Sequence, residues 1–309
     1  MRKIIVGTRS SDLAVTQTKW VINSLREAGI ENDIEIKTIS TKGDRNLTVA
    51  LHKVGGRGIF SSDIQHALQQ NEIDFAVHSL KDLSLSDDGP FVLASFPKRE
   101  DHRDAYIGKS HIALHDLPEG SVIGTSSPRR AAFIHALYPG LRTESIRGPV
   151  DKRLEQLKQG KYDGIILAVA GLNRLNLTKE ITEYLPADTF IPAVGQGALA
   201  IECRKDDEEI IHILRQINDA KTEQGILTER EFVRLLDEDD EAPIGAYAEV
   251  NGNTTKLYGS VSSLNGKDTI TVQAFGTTPE IVAHDAAQKA KEQGADEIIK
   301  HAKEELAQQ

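Results

Sequence analysis

Gly164-Ile165-Ile166-Leu167-Ala168-Val169-Ala170 is an unbroken apolar run without alternation, the pattern of a strand buried on both faces. Strands of that kind belong to sheets covered by helices, and the sequence on either side agrees. Ser121-Val122-Ile123-Gly124 leads through Thr125-Ser126-Ser127-Pro128 into Arg129-Arg130 and an alanine-rich helix. Lys3 to Gly7 reads as a short buried strand. It is followed by an amphipathic helix from about Leu13 to Ala28, with Leu13, Val21, Ile22 and Leu25 on one face. Ile34 to Ser40 is a strand, Ser61 to Gln70 a helix, and Phe75-Ala76-Val77-His78 another buried strand. Strands alternating with helices predict an α/β protein with mostly parallel sheets, whose ligands bind beyond the carboxyl ends of the strands.

The C-terminal part changes character. Ala246 to Val250, Lys256 to Ser262 and Thr269 to Phe275 are strands separated by the turn signals Asn251-Gly252-Asn253 and Asn265-Gly266-Lys267. A helix from about Pro279 to Gln293 and a second from Ala295 onward complete a small α+β domain with a three-stranded antiparallel sheet. The length of 309 residues exceeds what one core usually serves, so several domains are expected.

A net charge of −10, with both signs spread along the chain, argues against wholesale binding to nucleic acid or an anionic membrane. Cys203 is the single cysteine, so no internal disulfide forms. The N-terminus turns polar too soon for a signal-peptide core, and no apolar run is long enough to span a bilayer. A cytoplasmic protein is expected.

Arginines stand where ligands are expected: Arg9 after the first strand, Arg129 and Arg130 at a helix start, Arg147 and Arg153 around Gly148, and Arg174 after the Gly164 strand. Their planar forks suit carboxylate or phosphate. Each taken alone also reads as a surface arginine paired with an acid; six together at strand ends favour a small ligand with several carboxylates. Ser126 and Ser127 fit an anion seat or plain helix caps. His78-Ser79-Leu80-Lys81-Asp82 puts a lysine and a carboxylate at a strand's carboxyl end. Asp82 there reads either as a group that stabilises a developing cation or relays a proton, or as a salt-bridged cap. His78 reads as a structural histidine, because no second histidine or cysteine lies at metal spacing; no metal site is expected. Lys53-Val54-Gly55-Gly56-Arg57-Gly58 lacks the ending of a phosphate-binding loop and reads as a lid or hinge, and Val194-Gly195-Gln196-Gly197-Ala198 as a crossover between domains.

Taken in order, Thr8-Arg9-Ser10-Ser11, His78 to Asp82, Pro97-Lys98-Arg99-Glu100-Asp101, Gly124 to Arg130, Val194 to Arg204 and Pro243-Ile244-Gly245-Ala246-Tyr247 resemble hydroxymethylbilane synthase, also called porphobilinogen deaminase, over nearly the whole chain. The resemblance implies two α/β domains like periplasmic binding proteins, at 1–97 with 198–217 and at 103–192, and a third domain at 220–309. It implies a monomer that joins four porphobilinogen molecules with release of ammonia on a dipyrromethane primer held through a cysteine. It implies Asp82 as catalytic carboxylate. Arg9, Gln17, Lys81, Ser127, Arg129, Arg130, Arg147, Arg153 and Arg174 match the positions that hold the acetate and propionate groups.

The departures are specific. Family members carry Gly-Gly-Cys before the Pro-Ile motif, and that cysteine bears the primer; here the ungapped match from Glu229-Arg230 to Pro243-Ile244 places Asp240 at its position. A carboxylate forms no stable thioether, and Cys203 matches a family cysteine that does not carry the primer, so covalent attachment is expected to be absent. Pro128, Pro149, Arg57 and Ser84 also depart from the pattern. Three readings follow: a synthase with weak or no activity lacking a covalent primer, a non-catalytic pyrrole-carboxylate-binding or regulatory relative, and a periplasmic-type receptor, against which the missing signal sequence and the Lys81-Asp82 pair weigh. The acidic run from Asp237 to Glu241 reads either as a solvated loop or as carboxylates that face the arginines in place of the acidic primer.

Overall fold

A computed structural model describes residues 2–45, 60–85, 89–238 and 242–308. In chain order the elements begin with β1 (Ile4–Arg9), α1 (Asp12–Glu27), β2 (Ile34–Ile39), α2 (Lys42–Arg45), α3 (Ser62–Gln69), β3 (Phe75–Ser79) and β4 (Phe91–Ser95). Next come β5 (Asp104–Gly108), β6 (Val122–Gly124), α4 (Pro128–Leu137), β7 (Arg142–Glu144), α5 (Val150–Lys158), β8 (Gly164–Ala168), α6 (Val169–Arg174) and β9 (Glu183–Tyr184). The remainder is β10 (Leu199–Arg204), α7 (Glu208–Arg215), α8 (Ala220–Leu236), β11 (Ile244–Asn251), β12 (Thr254–Ser262), β13 (Thr269–Gly276), α9 (Pro279–Glu292) and α10 (Ala295–Gln308).

The chain divides into two compact units, residues 1–100 with 197–223 and residues 101–196 with 224–309. The first unit holds one five-stranded sheet of order β2-β1-β3-β10-β4, in which β10 runs antiparallel to both neighbours. The second holds a sheet of order β7-β6-β8-β5-β9 with β5 antiparallel in the equivalent place. The same topology thus occurs twice, the doubled periplasmic-binding-type α/β architecture expected from the sequence. In each sheet one antiparallel strand interrupts the parallel pattern; in the first it is β10, which returns from beyond the strands of the second.

Burial explains why these strands read clearly. Ile4, Val6, Phe75, Val77, Leu199, Ile201 and Cys203 form one core with Val21 and Leu25 of α1 and Ile210 and Leu214 of α7. In the second unit, Ala105, Ile107, Ile165 and Leu167 pack with Leu154 and Leu157 of α5, while Tyr106, Ile123 and Ile166 pack with Phe133 and Ile134 of α4. The apolar run at 164–170 is not one strand, however. β8 ends at Ala168, and Val169 and Ala170 open α6. Both segments are buried, so an unbroken apolar run carries no period that marks the change from strand to helix.

The second unit also contains the antiparallel sheet β11-β12-β13. The alanine-lined face of α9, with Ala283, Ala286, Ala287 and Ala290 buried, packs against β12 and β13. Phe232 of α8 lies against Gly259, where a Cβ would collide with its ring. Among the described residues no helix is long and apolar enough to cross a membrane.

Candidate active site

In the first unit the carboxyl ends of β1, β2 and β3 converge. β1 stands between β2 and β3, so the chain leaves it in opposite directions at the point where doubly wound sheets open a crevice. A small open pocket lies there, lined by Arg9, Gln17, Phe60, His78, Ser79 and Asp82 among others. Arg9 follows the core strand directly. Its Nε donates to Asp44 Oδ1 at 3.2 Å, its guanidinium lies over the Phe60 ring at 4.1 Å, and Nη1 is 4.0 Å from Asp82 Oδ2. Burial raises the Asp44 carboxyl, but hydrogen bonds from Arg9 and Thr41 outweigh it and hold the group below its ordinary value.

Asp82 ends a single 3₁₀ turn, Leu80–Asp82, that continues β3 and is fixed where the Leu80 amide donates to the Ala198 carbonyl at 3.1 Å. Leu80 is buried, while Lys81 and Asp82 are half-buried, and Asp82 lines the pocket. Gln17, buried on α1, donates from Nε2 to Ser79 Oγ at 3.0 Å. His78 bonds Glu202 of β10 through Nε2 at 3.0 Å, and Gln65 donates to the other Glu202 oxygen at 2.8 Å. It is held in a buried polar network, in keeping with the structural reading of its sequence.

The second unit repeats the arrangement. Ser127 caps α4 by accepting from the Arg130 amide, with Pro128 in the first helical position. Arg129 and Arg130 are both buried and converge on Asp104, the fully buried first residue of β5. Arg129 Nη2 donates to Oδ2 at 2.7 Å, and Arg130 Nε to Oδ1 at 2.8 Å. Arg129 also donates to the Ile191 carbonyl, Arg130 to that of Ile166, and Gln196 Nε2 reaches Asp104 at 3.1 Å. Burial alone would raise the Asp104 carboxyl, but the two guanidiniums outweigh it and hold the group at about 2. The three charged groups sum to one positive charge.

Arg147 and Arg153 flank the turn after β7. Gly148 there has φ +112°, and its carbonyl accepts from Arg153 Nε at 2.7 Å. Burial pushes the Arg147 guanidinium below its ordinary value. Ser126 Oγ donates to the Ile146 carbonyl at 2.6 Å, joining the loops after β6 and β7. Arg174 is half-buried at the end of α6. Arg9, Gln17, Lys81 and Asp82 therefore belong to the first unit, and Ser127, Arg129, Arg130, Arg147, Arg153 and Arg174 to the second.

Four supporting residues escaped the reading of the sequence: Asp44, Asp104, Gln196 and Glu202. Asp104 left a signal, since an acid that opens the apolar strand Ala105-Tyr106-Ile107 demands a buried cation. Asp240 and the glycine-rich loop Lys53 to Gly58 lie outside the described residues. Asp237, at the start of the acidic run, is buried: it accepts from Lys303 Nζ and from the Ala242 amide, each at 2.9 Å. It is therefore not a solvated residue, while residues 239–241 of the run lie outside the described residues. Cys203 lies fully buried in β10, and burial pushes its thiol up to about 12.

Known proteins match this chain along its length. Residues 4–212 match the model of the porphobilinogen deaminase dipyromethane cofactor binding domain, and residues 224–295 that of the porphobilinogen deaminase C-terminal domain. The porphobilinogen deaminase of Oceanobacillus iheyensis is 49% identical over 309 residues, covering 100% of both chains. That of Geobacillus kaustophilus is 46% identical over 307 residues, covering 99% of each. A periplasmic binding protein of Salmonella typhimurium with high arginine specificity aligns at 13% identity and a TM-score of 0.41, covering 70% of this chain and 92% of its own. The chain belongs to the porphobilinogen deaminase family.

Proposed function

We propose that this protein condenses porphobilinogen as its relatives' name describes, in the manner of a hydroxymethylbilane synthase, with Asp82 as the acting carboxylate and without a covalently held primer. The observation that carries the reading is Asp82 lining the pocket at the β3 end, 4.0 Å from Arg9 Nη1. A carboxylate there accepts the pyrrole N–H and stabilises the positive charge that develops as the aminomethyl C–N bond breaks and ammonia leaves. The methylene carbon then takes an electron pair from a free α-carbon of the next pyrrole, whose proton is lost. Arg9, Gln17 and Lys81 in one unit, and Ser127, Arg129, Arg130, Arg147, Arg153 and Arg174 in the other, hold the acetate and propionate groups.

The family's dipyrromethane supplies a starting acceptor when attached through sulfur, and the residues present do not fit that attachment. The only sulfur nucleophile in the sequence is Cys203, buried in the core with its thiol pushed up to about 12. Asp240 stands at the anchoring position. Without a tether the growing chain dissociates between additions, so turnover is weak. The reading includes a cytoplasmic monomer.

Intact mass measurement of the purified protein tests this, followed by the same measurement and a porphobilinogen consumption assay on Asp240→Cys. The expected native mass is that of the bare chain. Asp240→Cys is expected to gain two pyrrole units and to turn over at least about tenfold faster, because additions become intramolecular. A native protein carrying pyrrole mass overturns the tether-free reading. A substituted protein that stays bare and inert sinks the catalytic one. Asp82→Asn is expected to lower ammonia release by at least about 100-fold.

A further inference from the structure

One face of the C-terminal sheet touches the supports of the paired arginines at three places. Gly245 and Tyr247 on β11 pair with Ser260 and Tyr258 on β12, so the alternation of the strands puts all four on one face. Gly245 lies on the Ile191 carbonyl, the group that accepts from Arg129; a Cβ at 245 would stand 2.8 Å from that oxygen. The next carbonyl, Pro192, accepts from the Ala246 amide at 2.9 Å. Tyr247 stacks on His102 at 3.6 Å between centroids, and the His102 carbonyl accepts from Gln196, which also donates to Asp104. At the β12–β13 turn, Gly266 lies against α4 itself. A Cβ there would collide with the carbonyl oxygen of Ala132, about one turn beyond Arg129, and stand 2.8 Å from the nitrogen of Ala136, about two turns beyond it.

We infer that the C-terminal sheet sets the position of Arg129 and Arg130, and that Gly245 and Gly266 are the positioning residues through which it does so. Each glycine allows backbone to meet backbone where a methyl group cannot fit. The contacts reach Arg129 through Ile191, Asp104 through Gln196, and both arginines through the helix that carries them. A sheet displaced by a fraction of an ångström therefore moves the guanidiniums and their counter-ion together. The consequence for ligand carboxylates rests on the proposed function; the positioning itself does not.

The full chain, labelled with 15N-arginine, tests this through the Arg130 Nε–H resonance, since that proton bonds Asp104. Gly266→Ala and Gly252→Ala form the informative pair. Both glycines have positive φ, +70° and +59°, so both variants incur the same kind of backbone strain, but a Cβ at Gly252 meets nothing within 4 Å. Both are expected to melt earlier. Only Gly266→Ala is expected to shift the Arg130 resonance and to speed its exchange with water, by at least about fivefold, as a loosened buried bond does. Gly245→Ala gives the same answer by an independent contact, should Gly266→Ala fail to fold. Equal responses in the Gly266 and Gly252 variants overturn the inference, as does an unmoved resonance in a folded Gly245 variant. Porphobilinogen added to the wild-type chain shifts the same resonance if the arginines hold its carboxylates. A wild-type resonance that ignores porphobilinogen counts against the functional reading alone, because the glycine variants still decide the positioning.

Discussion

At the scale of single residues, Asp104 shows how a buried charge is held in the second unit. It is fully buried between two guanidiniums and sits at about 2 against an ordinary 3.8. Because the folded value is the lower, the stabilisation is complete above the unfolded carboxyl's titration and is lost as pH falls from about 4 toward 2; it amounts to about 2 kcal/mol. Asp104→Asn removes the charge while both arginines stay buried, and is expected to cost about 4 kcal/mol. Urea midpoints at neutral pH and at pH 3 check both statements, with the wild-type protein losing more than the variant on acidification. Cys203 makes the opposite case. Its thiol is expected to resist iodoacetamide at pH 8 in the native protein and to react fully in urea, read by mass; native labelling would contradict its place in the core.

Among the elements, α7 shows what a cap and its neighbours supply. Asp207 accepts from the Ile210 amide at 3.2 Å as N-cap and also receives Arg2 and Arg204 at 2.9 and 3.1 Å. Asp207→Ala is expected to cost about 2 kcal/mol and Asp207→Asn less than half of that, since asparagine keeps the cap and loses the ion pairs. Denaturant titration of the two variants separates the contributions. Elements such as α1, α4 and β3 were legible in the sequence because their periods and turn residues are local, and so were the arginines at strand ends. The partners of those side chains were not. Asp44 meets Arg9, Asp104 meets Arg129 and Arg130, and Glu202 meets His78 only because strand order brings distant segments together. The boundary at Ala168 was hidden for a different reason, since a helix and a strand buried on all sides look alike in sequence.

The whole molecule depends on one long return of the chain. β10 enters the first unit after the α/β part of the second has been made, and it pairs on one side with β3, Leu199 opposite Ser79, and on the other with β4. β3 retains β1 as a neighbour when β10 is missing, but β4 lies at the sheet edge and its strand partner is β10. The same segment brings Leu199, Ile201, Cys203, Ile210 and Leu214 into the core, and Glu202 to the network that holds His78. A chain that stops after residue 196 is therefore expected to lose hydrogen-exchange protection first and most completely at Phe91–Ser95, while β1 and β2, which pair with each other, keep part of theirs. Because the β3–β10 pairing closes a very long loop, the intact protein is expected to protect β3 and β4 later in refolding than β1 and β2. Pulsed hydrogen exchange checks this order: simultaneous protection of β2 and β4 would mean that β1 and β2 also wait for β10, so that the first unit assembles in a single step.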